Sequence, residues 1–306
     1  MDVLEQFPVR KTKKQKLAFR TAVQSYAESL GYPVSVETGT FGACNLLLGD
    51  PEQAKFLVTA HYDTCAGMPI PNFITPCNLP LFLLHQLALT GLFAAVYLCA
   101  VNGFILLFED HRFSSLLALI CVAFLVLWML IGPANKCNAN DNTSGVVTVL
   151  ETARTMPENL RSRVCFVLFD LEEAGLVGSA TYRKTHKAET EGQIILNLDC
   201  VGDGDEIVFF PTKKMRKDGK KLAWLYKAIG RYGDKTIDVR EKGFAVYPSD
   251  QKHFPYGVGI ASLHRKKWIG LYMNRIHTKR DTILEETNVN ILRACLTTLI
   301  ASDAAE

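Results

Sequence analysis

Val164-Cys165-Phe166-Val167-Leu168-Phe169 runs directly into Asp170-Leu171-Glu172-Glu173-Ala174-Gly175, and the reading of this junction decides the fold. The first six residues are short, β-branched or aromatic and bounded by charge, the pattern of a buried strand. Two adjacent glutamates at the end of such a strand are unusual. Successive strand residues point to opposite sides, so both carboxylates can face one pocket only from a turn, at different angles. One can then bind a metal while the other handles a proton. The bland alternative is a solvated turn opening a helix at Gly175, where acidic residues suit the positive helix N-terminus.

Outward from this junction, strands alternate with helices. Residues 14–30 carry an amphipathic helical pattern, with Leu17, Ala22, Tyr26 and Leu30 on one side and Gly31 as its stop. Strands are expected at Val34–Glu37, Cys44–Leu48 and Phe56–Ala60, the last leading into His61-Tyr62-Asp63-Thr64. The turn Asn140-Asp141-Asn142-Thr143-Ser144-Gly145 leads into a helix over Val146–Thr155. Past the junction come a strand, Ile194–Leu198, ending at Asp199, a helix over Leu222–Tyr232, and strands at Gly257–Leu263 and Trp268–Tyr272. A closing helix spans Thr287–Ile300, capped by Thr287 or Asn288. This alternation predicts a three-layer α/β/α sandwich around a mostly parallel sheet, with functional groups at strand ends.

One segment is foreign to that pattern. Leu79–Phe108 is almost wholly apolar and uncharged, and Glu109-Asp110-His111-Arg112 links it to a second apolar run, Ser115–Ile131. At about 1.5 Å per residue the first run exceeds a hydrocarbon core of about 30 Å and the second is just long enough to cross it. The stretch reads as a transmembrane hairpin, 79–131, inserted between 1–78 and 132–306, the two parts of one catalytic α/β domain. The competing reading is a pair of greasy helices forming a lid or a dimer contact. Leu116–Leu130 is apolar all round, which favours lipid, and Trp128 suits an interface. A hairpin returns the chain to its starting side, so both parts of the domain share a compartment. The first fifty residues show no secretory leader, and the expectation is a multi-pass protein of the cell membrane with a cytosolic catalytic domain.

The 306 residues suffice for a substantial core, and a net charge of +3 is too mild to argue for nucleic acid. Nine cysteines without a Cys-x-x-Cys read as reduced thiols rather than a disulfide framework. Lys213, Lys214, Arg216, Lys217, Lys220 and Lys221 form a basic cluster, most simply a solvated loop, with anionic lipid as the alternative partner.

Five donors stand where strands end or turns begin: His61, Asp141, Glu173, Asp199 and His277. Mixed histidine and carboxylate ligands suit zinc, or cobalt or manganese. Five make sense for two ions about 3.5–4 Å apart if one carboxylate bridges them. Asp63, two residues beyond His61 on the same side of its strand, is placed to orient the imidazole. Singly each has a structural reading: a satisfied histidine, a helix cap at Asp141, a loop cap at Asp199. Their joint occurrence at element ends is the stronger signal.

The blocks Ala60–Thr64, Asn140–Gly145, Glu172–Ser179, Asn197–Gly202 and His277–Thr282 resemble the co-catalytic zinc aminopeptidases, a family that also contains glutaminyl cyclases. Tyr247–Phe254 resembles its Ser-Asp-His segment, with Gln251 in place of the usual histidine. The likeness covers the soluble chain from about residue 55 to 282 and excludes the hairpin. It implies that Asp141 bridges two metals, most simply zinc, with Glu173 and His277 completing one site and His61 and Asp199 the other. It also implies Glu172 as general base and a cis peptide after Asp141. Two divalent ions would acidify a shared water, and Glu172 would accept its proton and pass it to the leaving amine.

The sequence is therefore read as a membrane-anchored dizinc aminopeptidase that acts on peptides, possesses a lipid contact through 79–131, and has no nucleic-acid partner. The alternatives are an amidohydrolase of N-acyl amino acids or lipid-linked amides, and a non-catalytic membrane scaffold. Glutaminyl cyclisation is disfavoured because those relatives hold one zinc. Substrate side-chain preference and oligomeric state are not written in the sequence.

Overall fold

The computed structural model describes residues 1–68, 70, 72–228 and 230–302. Its sheet contains β1 (Val34–Thr38), β2 (Cys44–Leu48), β3 (Phe56–His61), β4 (Val164–Phe169), β5 (Ile194–Leu198), β6 (Glu206–Pro211), β7 (Gly230–Tyr232), β8 (Lys235–Val239), β9 (Tyr256–Lys266) and β10 (Gly270–Tyr272). They lie in the order β1-β2-β4-β3-β5-β9-β6-β8-β7, with β10 paired to β9. The four central strands, β4-β3-β5-β9, are parallel, and antiparallel pairs flank them. Every residue of β3, β4 and β5 is buried, as expected of strands covered on both faces.

Helices α1 (Lys13–Ser29), α4 (Gly145–Thr155) and α6 (Glu286–Ser302) cover one face, and α5 (Val177–Thr185) the other; between α1 and α4 lie the hairpin helices α2 (Leu79–Phe108) and α3 (His111–Ile131). On the first face Phe19 and Val23 of α1, Val149 of α4 and Leu296 of α6 share a core with Val58 and Phe166. On the second, Tyr182 of α5 and Phe254 pack on Leu57, Val167 and Phe169. The layers are therefore helix, sheet, helix.

Register brings the ends of the central strands to one edge. His61 closes β3 level with Phe169, the last residue of β4, and Leu198 of β5 is level with Ile260 of β9. The loops that follow these residues meet at the carboxyl edge of the parallel strands, where such sheets bind ligands.

The hairpin leaves this same edge. Asn78 caps α2 by accepting from the Leu81 amide at 3.2 Å, and its Nδ2 donates to the Ile269 carbonyl at 2.9 Å in the β9–β10 turn. The second helix begins at His111, four residues before the expected start, because Asp110 accepts from the amides of Arg112 and Phe113 at 2.8 and 3.1 Å. The polar link thus caps the helix instead of interrupting it. Ser114 and Ala118 of α3 are buried against α2, while most other positions of the two helices are exposed and apolar.

Two local expectations fail. The helix expected over 222–232 is a short one, Gly219–Leu225, followed by a turn and β7, with residue 229 outside the described residues. Its apolar spacing is used, since Trp224 stacks on Phe56, but the chain must reverse to pair β7 with β8. Thr287 and Asn288 lie inside α6, not at its cap; the Asn288 amide instead donates to the Val201 carbonyl and Ser262 Oγ at 3.1 and 3.0 Å. In the basic cluster, Lys214 pairs with Glu191 and Lys221 with Asp218, and both ammonium groups lie over the Tyr256 ring.

Candidate metal centre

All five donors picked from the sequence come to the carboxyl edge of the parallel strands. His61 ends β3, Glu173 follows β4, Asp199 follows β5, Asp141 sits in the turn before α4, and His277 in the loop before α6. Asp141 stands between the histidines: its Oδ1 lies 3.3 Å from His61 Nε2 and its Oδ2 2.8 Å from His277 Nε2. Asp199 Oδ1 is 3.6 Å from His61 Nε2, and Glu173 Oε2 is 3.6 Å from His277 Nε2. Each Nε2 thus has one private carboxylate, and the two share a third. Donor atoms of His61, Asp141 and Asp199 lie within 4.8 Å of one another, as do those of His61, Glu172 and Glu173.

The supporting shell explains the aim of these groups. His61 Nδ1 lies 3.2 Å from the Asp63 carbonyl and 3.5 Å from its Oδ1, leaving Nε2 for the centre. Asp63 does more than the sequence suggests, because its two oxygens accept from the amides of Glu172 and Glu173 at 3.0 and 3.2 Å. One side chain therefore positions both the imidazole and the double-glutamate turn. Asp281 accepts from the amides of Asn140 and Asp141 at 2.6 and 3.0 Å. Asn142 Oδ1 takes the Gly145 and Cys200 amides at 3.1 and 3.2 Å, and the Asp141–Asn142 peptide is cis.

Backbone strain collects at the same place. Leu171, Cys200 and His277 have φ of 57°, 57° and 60°, left-handed values rare for residues with a Cβ. Each is a candidate donor or lies beside one or beside the Glu172-Glu173 pair, where over-determined contacts hold unfavourable geometry.

Charge is crowded. Burial pushes the Glu173 carboxyl up to about 7, and Asp141 adds to this against the pull of His277. Burial likewise lifts Glu172 well above the carboxylate range, although His61 opposes it. Burial disfavours the His277 imidazolium, yet Glu173 and Asp141 outweigh it and raise the group to about 10. For Asp141, burial is overcome by both histidines, which hold it well below its usual value. Glu173 Oε1 is buried without a hydrogen-bond partner. Buried carboxylates with an orphaned oxygen, facing imidazole nitrogens, form a donor set that fits divalent cations.

Several contributors escape sequence reading. Arg10 is fully buried and donates to the carbonyls of Phe7 and Tyr62 and to Thr143 Oγ1, bracing the strand and turn that carry His61 and Asp141. Nothing local in Pro8-Val9-Arg10 marks it. Buried Lys16 pairs with Asp170 at 2.7 Å, two residues before the double glutamate. Donor atoms of Cys65, Glu173 and His277 also lie within 4.8 Å of one another, and burial pushes the Cys65 thiol up. Gln251, in place of the expected histidine, is buried and structural: it accepts from Asn197 Nδ2 at 3.1 Å and donates to the Tyr247 carbonyl at 2.7 Å.

Comparison with known proteins agrees with this architecture. The sequence pattern of Peptidase family M28 matches residues 127–301, more than half of the chain. No curated protein matches it in sequence. Among solved structures, Porphyromonas gingivalis glutaminyl cyclase is similar with a TM-score of 0.62 and 16% identity, over 97% of this chain and 93% of that one. A Zn-dependent exopeptidase from Parabacteroides distasonis gives 0.59 and 16% over the same shares. The Legionella pneumophila LapA aminopeptidase gives 0.58 and 14%, over 98% of this chain and 69% of that one. At these identities the likeness concerns the fold.

Proposed function

The chain belongs to Peptidase family M28 and is a metal-dependent hydrolase, and from that premise we propose that it is a membrane-anchored dizinc aminopeptidase. The observation that carries the two-metal reading is Asp141, whose two oxygens address different histidines. In this reading Asp141 bridges, Glu173 and His277 complete one site, and His61 and Asp199 complete the other. Bound there, two zinc ions would supply Lewis acidity, polarising the substrate carbonyl and acidifying a water.

The chain's own residues do the rest. Glu172 is the general base: burial makes its carboxyl a better proton acceptor than a solvated glutamate, and it sits within 4.8 Å of His61 and Glu173 donors. It takes the proton of the attacking water and delivers it to the departing amine, so a single group serves both halves of the reaction. Asp63 acts through the groups it holds: the imidazole of His61 and the amides of Glu172 and Glu173. The hairpin anchors the domain, with the loops of 1–78 and 132–306 on one side of the membrane, read as the cytosolic side. Its helices are long and apolar enough to cross a bilayer.

An aminoacyl-amide panel, an acyl-amide panel and a glutaminyl peptide, each with and without chelator, test this reading. Release of free N-terminal residues, with about two metals per chain, is the expected result. Hydrolysis confined to acyl amides would replace it with the amidohydrolase reading, cyclisation alone with a cyclase, and an inert, metal-free protein with a scaffold.

A further inference from the structure

Three cavities touch the proposed ligands Glu173 or His277, and each is also walled by the last turns of α3. The first joins Leu130 and Ile131 to Asp63 and Glu173, and the second joins Trp128 to His277. The third, about 290 Å³, lies between the hairpin and the centre, with Phe93 of α2 and Val126, Met129 and Leu130 of α3 facing Glu173 and His277. Ala66 and Met68 complete its wall, so among the described residues the two proposed ligands are its only polar side chains.

We propose that the hairpin is part of the substrate site, its helices forming an apolar subsite for the side chain of an N-terminal residue presented at the bilayer boundary. The proposal rests on the aminopeptidase reading above. A cavity of about 290 Å³ is at the small end of ligand sites, which start at roughly 300 Å³, and suits one large side chain. A charged side chain entering it would shed water and meet no partner on the hairpin wall.

Depth follows from helix length. The hairpin tip, Glu109-Asp110-His111-Arg112, is charged, and charged side chains are costly in mid-bilayer, so the tip belongs at the far head groups. Beyond that tip, residues 113–131 of α3 extend about 28 Å, against a hydrocarbon core of about 30 Å, which leaves no slack. Ile131 then marks the near boundary, where Lys11 Nζ donates to the Leu130 carbonyl at 3.3 Å. Val126 lies about 7 Å further in along the helix. The wall of the subsite is therefore inside the apolar layer, while the ligands it faces belong to the soluble domain. Peptides whose first residue dips into the bilayer boundary meet the centre there, and soluble polar N-termini do not.

The test uses the full chain in lipid nanodiscs, with leucyl-, phenylalanyl-, alanyl- and glutamyl-amides. The wild type is expected to favour leucyl over alanyl amide by tenfold or more in kcat/KM and to reject the glutamyl one. Met129→Trp, which fills the cavity, should lower the leucyl-to-alanyl and phenylalanyl-to-alanyl ratios in kcat/KM at least tenfold, mainly through KM, with the metal content per chain unchanged. Phe93→Ala, which enlarges it, should shift preference toward phenylalanyl. Both changes face a partly open cavity, and metal content reports separately on folding. Unchanged leucyl-to-alanyl ratios in both metal-loaded variants would overturn the subsite and leave the aminopeptidase standing. Equal loss on all substrates would overturn it as well. A wild type that cleaves no aminoacyl amide would remove the aminopeptidase reading itself.

Discussion

Asp141 shows how little of a metal centre one residue type reveals. In the sequence it sits in Asn-Asp-Asn-Thr-Ser-Gly, a string that any helix cap could supply. In the fold its two oxygens lie near nitrogens from residues far away on either side of it in the chain. Glu172, the proposed general base, is the cleaner test: Glu172→Gln keeps the side chain's size but cannot accept a proton. Metal content should be unchanged and kcat should fall by roughly 10²–10⁴; normal turnover would remove the residue from the mechanism. Asp250 carries a pH signature. Burial lifts its carboxyl to about 7, with Asp199 and Asp63 adding to the effect and His61 and the Ser179 hydroxyl opposing it. Its folded pKa is above the ordinary 3.8, so the folded state holds a proton that the unfolded state has lost. That stability is fully present below about pH 4 and disappears as pH rises through 7. Relative to Asp250→Asn, the wild type should therefore lose stability between pH 4 and 8, measured by denaturant unfolding; parallel curves would refute the assignment.

Elements with one strong period were legible, and those shaped by tertiary pairing were not. β2 and β5 match the expected residues because β-branched or leucine-rich runs bounded by polar groups leave no other reading. β6, β7 and β8 were missed: Glu206–Pro211 ends in proline, and Lys235–Val239 alternates polar and apolar residues, so their state is decided by pairing with β9 and with each other. The hairpin helices were the easiest elements to find, yet sequence gave no hint that Phe93 and Met129 stand over the proposed ligands. Deleting residues 79–131 behind a short linker separates its two proposed roles. Membrane sedimentation should vanish, alanyl-amide hydrolysis should persist, and the preference for leucyl amide should shrink. Persistent sedimentation would transfer the anchor to another part of the chain.

At the scale of the whole molecule, the sheet and the centre depend on different forces. The buried core of β3, β4 and β5 is held by apolar packing on both faces, and each fully buried side chain such as Phe166 contributes roughly 1.5–3 kcal/mol. The carboxyl edge has the opposite character: carboxylates lifted by burial, left-handed residues at Leu171, Cys200 and His277, and an orphaned oxygen on Glu173. In the two-metal reading proposed above, cations joining five points of the chain would offset those costs, much as cross-links would. Binding at about a thousandfold over Kd adds about 4 kcal/mol to the folded state. Chelation should therefore lower the melting temperature, and its effect on hydrogen exchange should be local. Amides of 138–144, 170–176 and 273–281 should exchange faster, while those of β3, β4 and β5 stay protected, since local opening draws on the contacts of the opened segment alone. Uniform acceleration across the sheet would mean that the metals hold the fold together; no change in the three loops would mean that these donors do not bind them.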